Sequence, residues 1–526
     1  MDQGYLSHTL SIFLGLIFVV VLFTFAARRL RLPHPSLLAL GGLLMAFIPR
    51  LPRVQLNPDV VLLMFLPPLL FSAGWRIPWR EFVAVLQPVA VLAIGLVLFT
   101  TFGVGLAAYA LDPSLTLGAA LVLGAIVSPT DPLAASTIIR QVRLPQRIVS
   151  ILEGESLAND ATGLVVYRIA VGAVMVGSFG VIRGAHTFAV VAVGGIAAGL
   201  IVGFLSVQLQ KLVDDPSIEF ALQLLTGYAA YLPAERLGFS GVFAAASSGM
   251  VCGHYWSYAL RARSRLQAVA VWDTLDFLVN AVLFLLLGLQ LPVVLSEAGG
   301  HDFRRLLLNG LGISLLAIAL RMGWMFAGAL IPRRGRPVAS QRVIALLGWS
   351  GMRGVLSLAT AIALPHTTPS GAPFPGRATI LFYAFCVIVV TLIVQGLSLP
   401  YVIRWLRIPR EEPRLDEERL ARIRTARAAR DRLEQLLSDG DELTRTVGVE
   451  LRVQYQRLLE HYEKGTAPQS ADRSRIELGR IRAEIGQAQR LTLVDLHSRG
   501  LINNDTFRRL ERELDLLEEQ FANDER

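Results

Sequence analysis

The sequence predicts an all-α polytopic membrane protein: about 13 transmembrane helices with inverted repeats and two broken crossing helices, followed by a helical cytoplasmic C-terminal tail. Three observations predict it. Of 526 residues, 53% are hydrophobic and only 17% charged, with mean hydropathy +0.52, an apolar excess beyond what a soluble core of this size consumes. Apolar runs of roughly 19 residues, the length needed to cross a bilayer, recur along the first 400 positions. Two of these runs are interrupted in mid-span by proline or glycine clusters.

Charge placement divides the chain. Positions 404–526 hold 49 of the 91 charged side chains, so a membrane domain over 1–405 and a cytoplasmic helical tail over 406–526 are expected. Positions 1–403 carry 26 basic and 16 acidic residues and positions 404–526 carry 24 and 25. The basic pI of 9.9 therefore belongs to the membrane part, where it reflects loop charge and implies no nucleic-acid partner. Two cysteines in apolar surroundings, Cys252 and Cys386, and eight scattered histidines give neither a disulfide framework nor a metal cluster. No cofactor is expected.

The apolar segments run over 10–27, 36–48, 60–75, 83–111, 115–139, 148–176, 185–209, 218–232, 239–252, 266–294, 306–331, 343–364 and 378–399. The first ends in Arg28-Arg29-Leu30-Arg31 rather than in a small-residue cleavage site, so it reads as a retained span. Lys and Arg favour the cytoplasmic side of short loops. Loops after odd-numbered spans hold 16 such residues and the opposite loops seven, which places the N-terminus outside and the tail in the cytoplasm. The tail repeats Leu420, Ile423, Ala426, Leu433 and Leu437 at helical spacing among charges, with breaks near Gly440 and Gly465. A regulatory role is the functional expectation there.

An ionisable residue at mid-membrane costs about 2.5–3.5 kcal/mol, so each is a functional candidate. The acids are Asp131, Glu153, Glu155, Asp160, Asp273 and Asp276, and the bases Arg168, Arg321 and Arg353. Three acids fall within Glu153-Gly154-Glu155-Ser156-Leu157-Ala158-Asn159-Asp160. At 100° per residue Glu153, Ser156 and Asp160 lie within about 60° of one another, and such an oxygen-rich face suits a hard cation. Glu155 and Asn159 share the neighbouring face, where Glu155 can pair with an arginine. In the fifth span, Ser128-Pro129-Thr130-Asp131-Pro132 removes two backbone donors and predicts an unwound crossing. Its freed carbonyls, Thr130 included, become candidate cation ligands, and Asp131 can compensate a positive helix end. A second interruption, Gly348-Trp349-Ser350-Gly351-Met352-Arg353-Gly354, breaks the twelfth span. Two broken helices at matching places in two halves are the sequence pointer to an inverted-repeat transporter with a midplane site.

These residues resemble the monovalent cation:proton antiporter-1 family, the bacterial NhaP-like sodium/proton antiporters related to animal sodium/proton exchangers. The similarity rests on Phe65-Leu66-Pro67-Pro68-Leu69-Leu70-Phe71, Ser128-Pro129-Thr130-Asp131-Pro132, Glu155-Ser156-Leu157-Ala158-Asn159-Asp160-Ala161-Thr162-Gly163 and Trp349-Ser350-Gly351-Met352-Arg353-Gly354, in that order, within about 10–405. The resemblance implies that Asp160 carries either cation or proton, and that Asp131, Ser156 and Thr130 complete a Na+ site. It makes Glu155 and Arg353 a buried ion pair, Asn159 the hydrogen-bonding residue that holds the site, and the Asn-Asp pair a sign of electroneutral one-for-one exchange. Glu153 and Asp273 are pathway candidates. A homodimer in the bacterial inner membrane, with lipid, monovalent cations and protons as its partners, is implied as well. Family members often carry an acid where this chain has Ser72, so an accessory contact there is expected to be missing.

The expected function is exchange of Na+ or Li+ for H+ by alternating access. Its rivals are K+-selective or electrogenic antiport, a cation channel using the same carboxylates as a filter, and an intramembrane aspartyl protease using Asp131 and Asp160. The last lacks that chemistry's motifs.

Overall fold

The computed structural model describes residues 3–30, 32–48, 61–131, 146–176, 180–298, 302–330, 340–407, 415–439 and 442–464, with scattered positions between 489 and 510. The described residues are helical apart from loops, with one isolated bridge between Thr367 and Pro373. The chain forms two compact units, Met1–Glu411 and Glu412–Arg526.

In the first unit the helices are α1 (Gln3–Leu30), α2 (His34–Met45), α3 (Leu66–Arg76), α4 (Trp79–Ala90), α5 (Val97–Leu111), α6 (Leu117–Val127), α7 (Gln146–Val176), α8 (Val181–Gln210), α9 (Pro216–Arg236), α10 (Gly241–Ala259), α11 (Ala262–Leu289), α12 (Leu291–Glu297), α13 (Phe303–Leu330), α14 (Gln341–Trp349), α15 (Val355–Ile362), α16 (Arg377–Val390) and α17 (Gly396–Leu406). Each apolar run of the sequence meets helix. The second half of the fifth run, residues 132–145, lies outside the described residues. Among the described residues six helical stretches are long and apolar enough to cross a membrane: Trp79–Leu111, Arg147–Val176, Ile182–Gln210, Ser264–Glu297, Phe303–Gly328 and Arg377–Leu406. Shorter apolar helices accompany them, including His34–Met45 and Leu117–Val127.

Local chemistry sets the helix ends. Thr116, Asp215, Ser240 and Ser340 sit at N-caps with side-chain oxygens accepting backbone N–H groups, which satisfies donors the helix itself leaves open. Pro88 lies inside α4 and is followed by a π-helical turn, Val91–Leu96, the local widening expected where a proline removes a ladder donor. α6 stops at Val127, just before Pro129. α14 and α15 are separated by five unwound residues from Ser350 to Gly354.

Without a strong hydrophobic drive between helices in lipid, close backbone approach at small residues holds a bundle together. α8 offers Gly195, Gly199 and Gly203 to α10: a Cβ there would strike the Ser240 carbonyl, the Ala244 carbonyl and the Ser248 backbone respectively. α10 in turn presents Gly249 and Gly253 to the carbonyls of Phe71 and Trp75 on α3. α3 is thereby fixed against α10, with its polar end next to α11.

In the second unit α18 (Leu415–Asp439) and α19 (Glu442–Lys464) pair through Arg427 with Glu463 and Arg452 with Glu434. These pairs are exposed and each contributes little, roughly 0–1 kcal/mol.

The α8–α10 contact yields a test of sign. Gly199→Ala puts a methyl against the Ala244 carbonyl and Ser247 and is expected to destabilise by about 1–3 kcal/mol. Gly172→Ala on α7 meets open space and gains helix propensity, up to about 1 kcal/mol. Thermal unfolding in detergent should lower Tm for the first and hold or raise it for the second; equal shifts would contradict the packing.

Candidate functional site

The broken segments meet each other. Asp131 N–H donates to the Met352 carbonyl at 2.7 Å, joining the unwound stretch after α6 to the one between α14 and α15. A Cβ on Gly354 would collide with the Asp131 carboxylate, so glycine is needed for this approach. The carboxylate therefore lies against the residue that begins α15, where a helix N-terminus carries positive potential.

Two buried arginines satisfy the opposite helix ends. Arg353 donates from Nε to the Val127 carbonyl at 2.9 Å and from Nη1 to the Gly351 carbonyl at 2.6 Å. Arg321, on α13, donates to the Gly348 and Leu347 carbonyls at 3.2 and 3.1 Å. The carbonyls at the C-terminal ends of α6 and α14 carry negative potential in a low-dielectric interior, so a guanidinium at each end is electrostatically favoured.

Glu155 pairs with Arg321. Its two carboxylate oxygens accept from Arg321 at 2.5 and 3.1 Å, and both side chains are buried, 2% and 1% exposed. This corrects the expected Glu155–Arg353 pair. The expectation failed because two buried arginines compete for one acid, and spacing along the chain does not say which guanidinium is spent on backbone carbonyls. Thr130 belongs to the same network: its hydroxyl donates to Glu155 at 3.2 Å, while Asn159 Nδ2 donates to the Thr130 hydroxyl at 2.8 Å and to its carbonyl at 3.2 Å. Thr130 is turned towards Glu155 and Asn159 and is not among the residues lining the cavity described next. The freed carbonyl expected to serve a cation is engaged by an amide.

A cavity of about 480 Å³ lies between α2, α3, α7, α11 and the start of α15. Its wall includes Asp131, Glu153, Ser156 and Asp160, the oxygen-bearing face expected from helical periodicity. Among the described residues, the Asp160 carboxylate takes no hydrogen bond and no ion pair. A carboxylate with open coordination, a hydroxyl one turn away and a second carboxylate opposite can bind a small cation or a proton.

The cavity mouth carries residues that sequence reasoning did not assemble. Arg76 reaches Asp273 and Asp276, each at 2.7 Å, and Ser72 donates to Asp276 at 2.5 Å. Asp276 and Arg76 line the cavity, whereas Asp273 is 58% exposed outside its lining. Asp276, rather than Asp273, is thus the α11 acid on the cavity wall. Ser72 does not leave a contact missing: the acid at that place comes from α11 and is held by the serine. Arg76 closes an apolar helix at its last residue, where an arginine has the local signature of an ordinary loop charge.

The pairing can be checked by rescue. Arg321→Ala strands the buried Glu155 charge and is expected to cost about 3–5 kcal/mol, and adding Glu155→Gln should restore part of the lost Tm. Arg353→Ala strands carbonyls instead, at about 1–3 kcal/mol each, and Glu155→Gln should restore nothing. The reverse rescue pattern would reinstate the Glu155–Arg353 pair.

Comparison with known proteins bears on the same span. Residues 15–405 match the family described as sodium/hydrogen exchanger, transmembrane. An uncharacterized Na(+)/H(+) exchanger of Mycobacterium tuberculosis is 37% identical over 97% of this chain and 96% of its own length. The uncharacterized Na(+)/H(+) exchanger YjcE of Escherichia coli is 32% identical over 93% and 94%. Among solved structures, the sodium proton antiporter MjNhaP1 from Methanocaldococcus jannaschii aligns with TM-score 0.61 at 22% identity, covering 77% of this chain and all of that one, which shows a shared fold. The matched span takes in both unwound segments and the residues lining the cavity, and the protein belongs to the transmembrane sodium/hydrogen exchanger family, as a bacterial NhaP-like cation/proton antiporter and therefore a secondary transporter rather than an enzyme.

Proposed function

We propose that the protein exchanges Na+ or Li+ for H+ one for one, with both ions competing for Asp160. The observation that carries this reading is the Asp160 carboxylate on the cavity wall, with Ser156 and Asp131 beside it and no ion pair of its own among the described residues. A site that crosses only when loaded, and that holds a cation or a proton but not both, couples two opposite fluxes with no further base and no cofactor. Ser156 and Asp131 supply the other oxygens, and Glu153 and Asp273 flank the route. Asn159, Glu155 and Arg353, with Thr130 and Arg321, keep the unwound backbone in register.

Asn159 bears on stoichiometry. It donates to Thr130, a task an ionised Asp at the same position cannot do, so this pair contains one titratable group rather than two. One carboxylate that trades one proton for one monovalent ion gives electroneutral exchange. A broader cation range is the second reading, favoured by the name of a Bacillus subtilis relative, 29% identical over 94% of this chain: sodium, potassium, lithium and rubidium/H(+) antiporter.

In this reading about 13 crossings with inverted repeats carry the exchanger, N-terminus outside and tail inside, as a homodimer in the bacterial inner membrane. Residues 406–526 form a cytoplasmic domain that regulates it.

Acid-loaded proteoliposomes test the proposal. Adding Na+ or Li+ should alkalinise the lumen at a rate indifferent to a clamped membrane potential, and Asp160→Asn should lower that rate at least about 100-fold, the loss of roughly 2.7 kcal/mol of transition-state stabilisation, while Tm stays near wild type. Potential-sensitive exchange would refute electroneutrality, K+ as the preferred ion would favour the second reading, and exchange retained by Asp160→Asn would remove Asp160 from the mechanism.

A further inference from the structure

From Asp276 in α11 to Glu297 at the end of α12 the chain covers about 30 Å at helical rise, and an ionic tie sits at each end of this stretch. At the first end Arg76 holds Asp273 and Asp276 beside the cavity, with Arg76 and Asp276 partly exposed. At the second end Arg377, the first residue of α16, pairs with Glu297 on α12. Between the cavity and the second tie the helices are packed with apolar side chains. Beyond the cavity-lining Leu283 and Phe284, Leu285 and Leu287 of α11 and Leu358, Ala359 and Ala361 of α15 are buried in one apolar core. Apolar packing thus separates the cavity from the Glu297 end, whereas the partly exposed Arg76 and Asp276 belong to its lining.

Arg377 does more than pair with Glu297. Its Nη2 donates to the carbonyl of Ile362, the last residue of α15, at 3.2 Å, and its Nε to the Leu364 carbonyl two residues beyond at 3.1 Å. That helix begins at Val355, next to Gly354 and the Asp131 carboxylate, and its first turn lines the cavity through Val355 and Leu356. One guanidinium thus ties the far end of the site-bearing half-helix to the α11–α12 arm. Separating α15 from α12 would break either the ion pair or the bonds from Arg377 to the Ile362 and Leu364 carbonyls.

We propose that Arg377 and Glu297 form a latch that keeps the Asp160 cavity closed towards the Glu297 end, and that the latch opens each time the site turns to that side. Arg377 is a positioning residue: it touches no ion and acts through α15. The proposal rests on reading the Asp160 cavity as the exchange site. Weakening the latch shifts a two-state equilibrium towards the open face without changing the ion's ligands.

The test reads which face reaches the cavity. In a background with Cys252 and Cys386 replaced by alanine, Leu356→Cys places a thiol on the cavity wall, and a membrane-impermeant maleimide is applied to intact cells and to inside-out vesicles. With the latch intact, labelling should come from the Arg76 face. Glu297→Gln, which keeps the side-chain shape and removes the charge, should raise labelling from the Glu297 face about tenfold, a bias of about 1.4 kcal/mol. Arg377→Lys, which retains the charge pair, should raise it less. Unchanged labelling from the Glu297 face in Glu297→Gln, at wild-type Tm, would overturn the latch, as would labelling of the intact protein from that face alone or from neither. Because labelling needs no transport, loss of exchange in Asp160→Asn leaves this outcome readable, and a failed latch leaves the role of Asp160 untouched.

Discussion

Breaking a helix inside a membrane frees backbone carbonyls and N–H groups that water cannot reach, and the rest of this structure depends on how they are satisfied. The Asp131 N–H to Met352 carbonyl bond links the two breaks. Arg353 and Arg321 take the carbonyls at the ends of α6 and α14. Each arginine brings a charge that must itself be tolerated: Arg321 is balanced by Glu155, and Arg353 by the converging carbonyl dipoles of Val127 and Gly351. The oxygen-bearing face of α7 is turned to the cavity while the adjacent face is committed to this scaffold.

The division of labour along α7 follows from helical geometry. Glu155 and Asn159, four residues apart, face the broken segments and are consumed by Arg321 and Thr130. Glu153, Ser156 and Asp160 face the cavity. Two successive turns of helix thus carry an acid committed to the scaffold, Glu155, and an acid on the cavity wall, Asp160, separated by about 140° of azimuth at about 100° per residue. The same economy recurs at the cavity mouth, where Ser72 and Arg76, one turn apart on α3, jointly hold Asp276.

Much of this was legible in the sequence. The apolar runs, the prolines at 129 and 132 and the glycines around Arg353 located the helices and both interruptions, because hydropathy and missing backbone donors are local properties. The oxygen face of α7 followed from its 3.6-residue period. Partner choice was not legible. Which arginine meets Glu155, that the Thr130 carbonyl is taken by an amide, and that Asp276 rather than Asp273 reaches the cavity all depend on the rotation and approach of helices distant in sequence. Arg76 and Arg377 looked like ordinary loop charges, since an arginine at a helix end gives no local sign of a partner about 200 or 80 residues away.

The central claim is that one carboxylate, Asp160, holds either a cation or a proton. Calorimetric titration of the detergent-solubilised protein with NaCl over a pH series, in buffers of different ionisation enthalpy, counts the protons displaced when Na+ binds. The account predicts release approaching one proton per Na+ at the acid end of the series, with affinity weakening about tenfold per pH unit there, and neither effect in Asp160→Asn. Sodium binding that displaces no proton at any pH, or proton release preserved in Asp160→Asn, would contradict it.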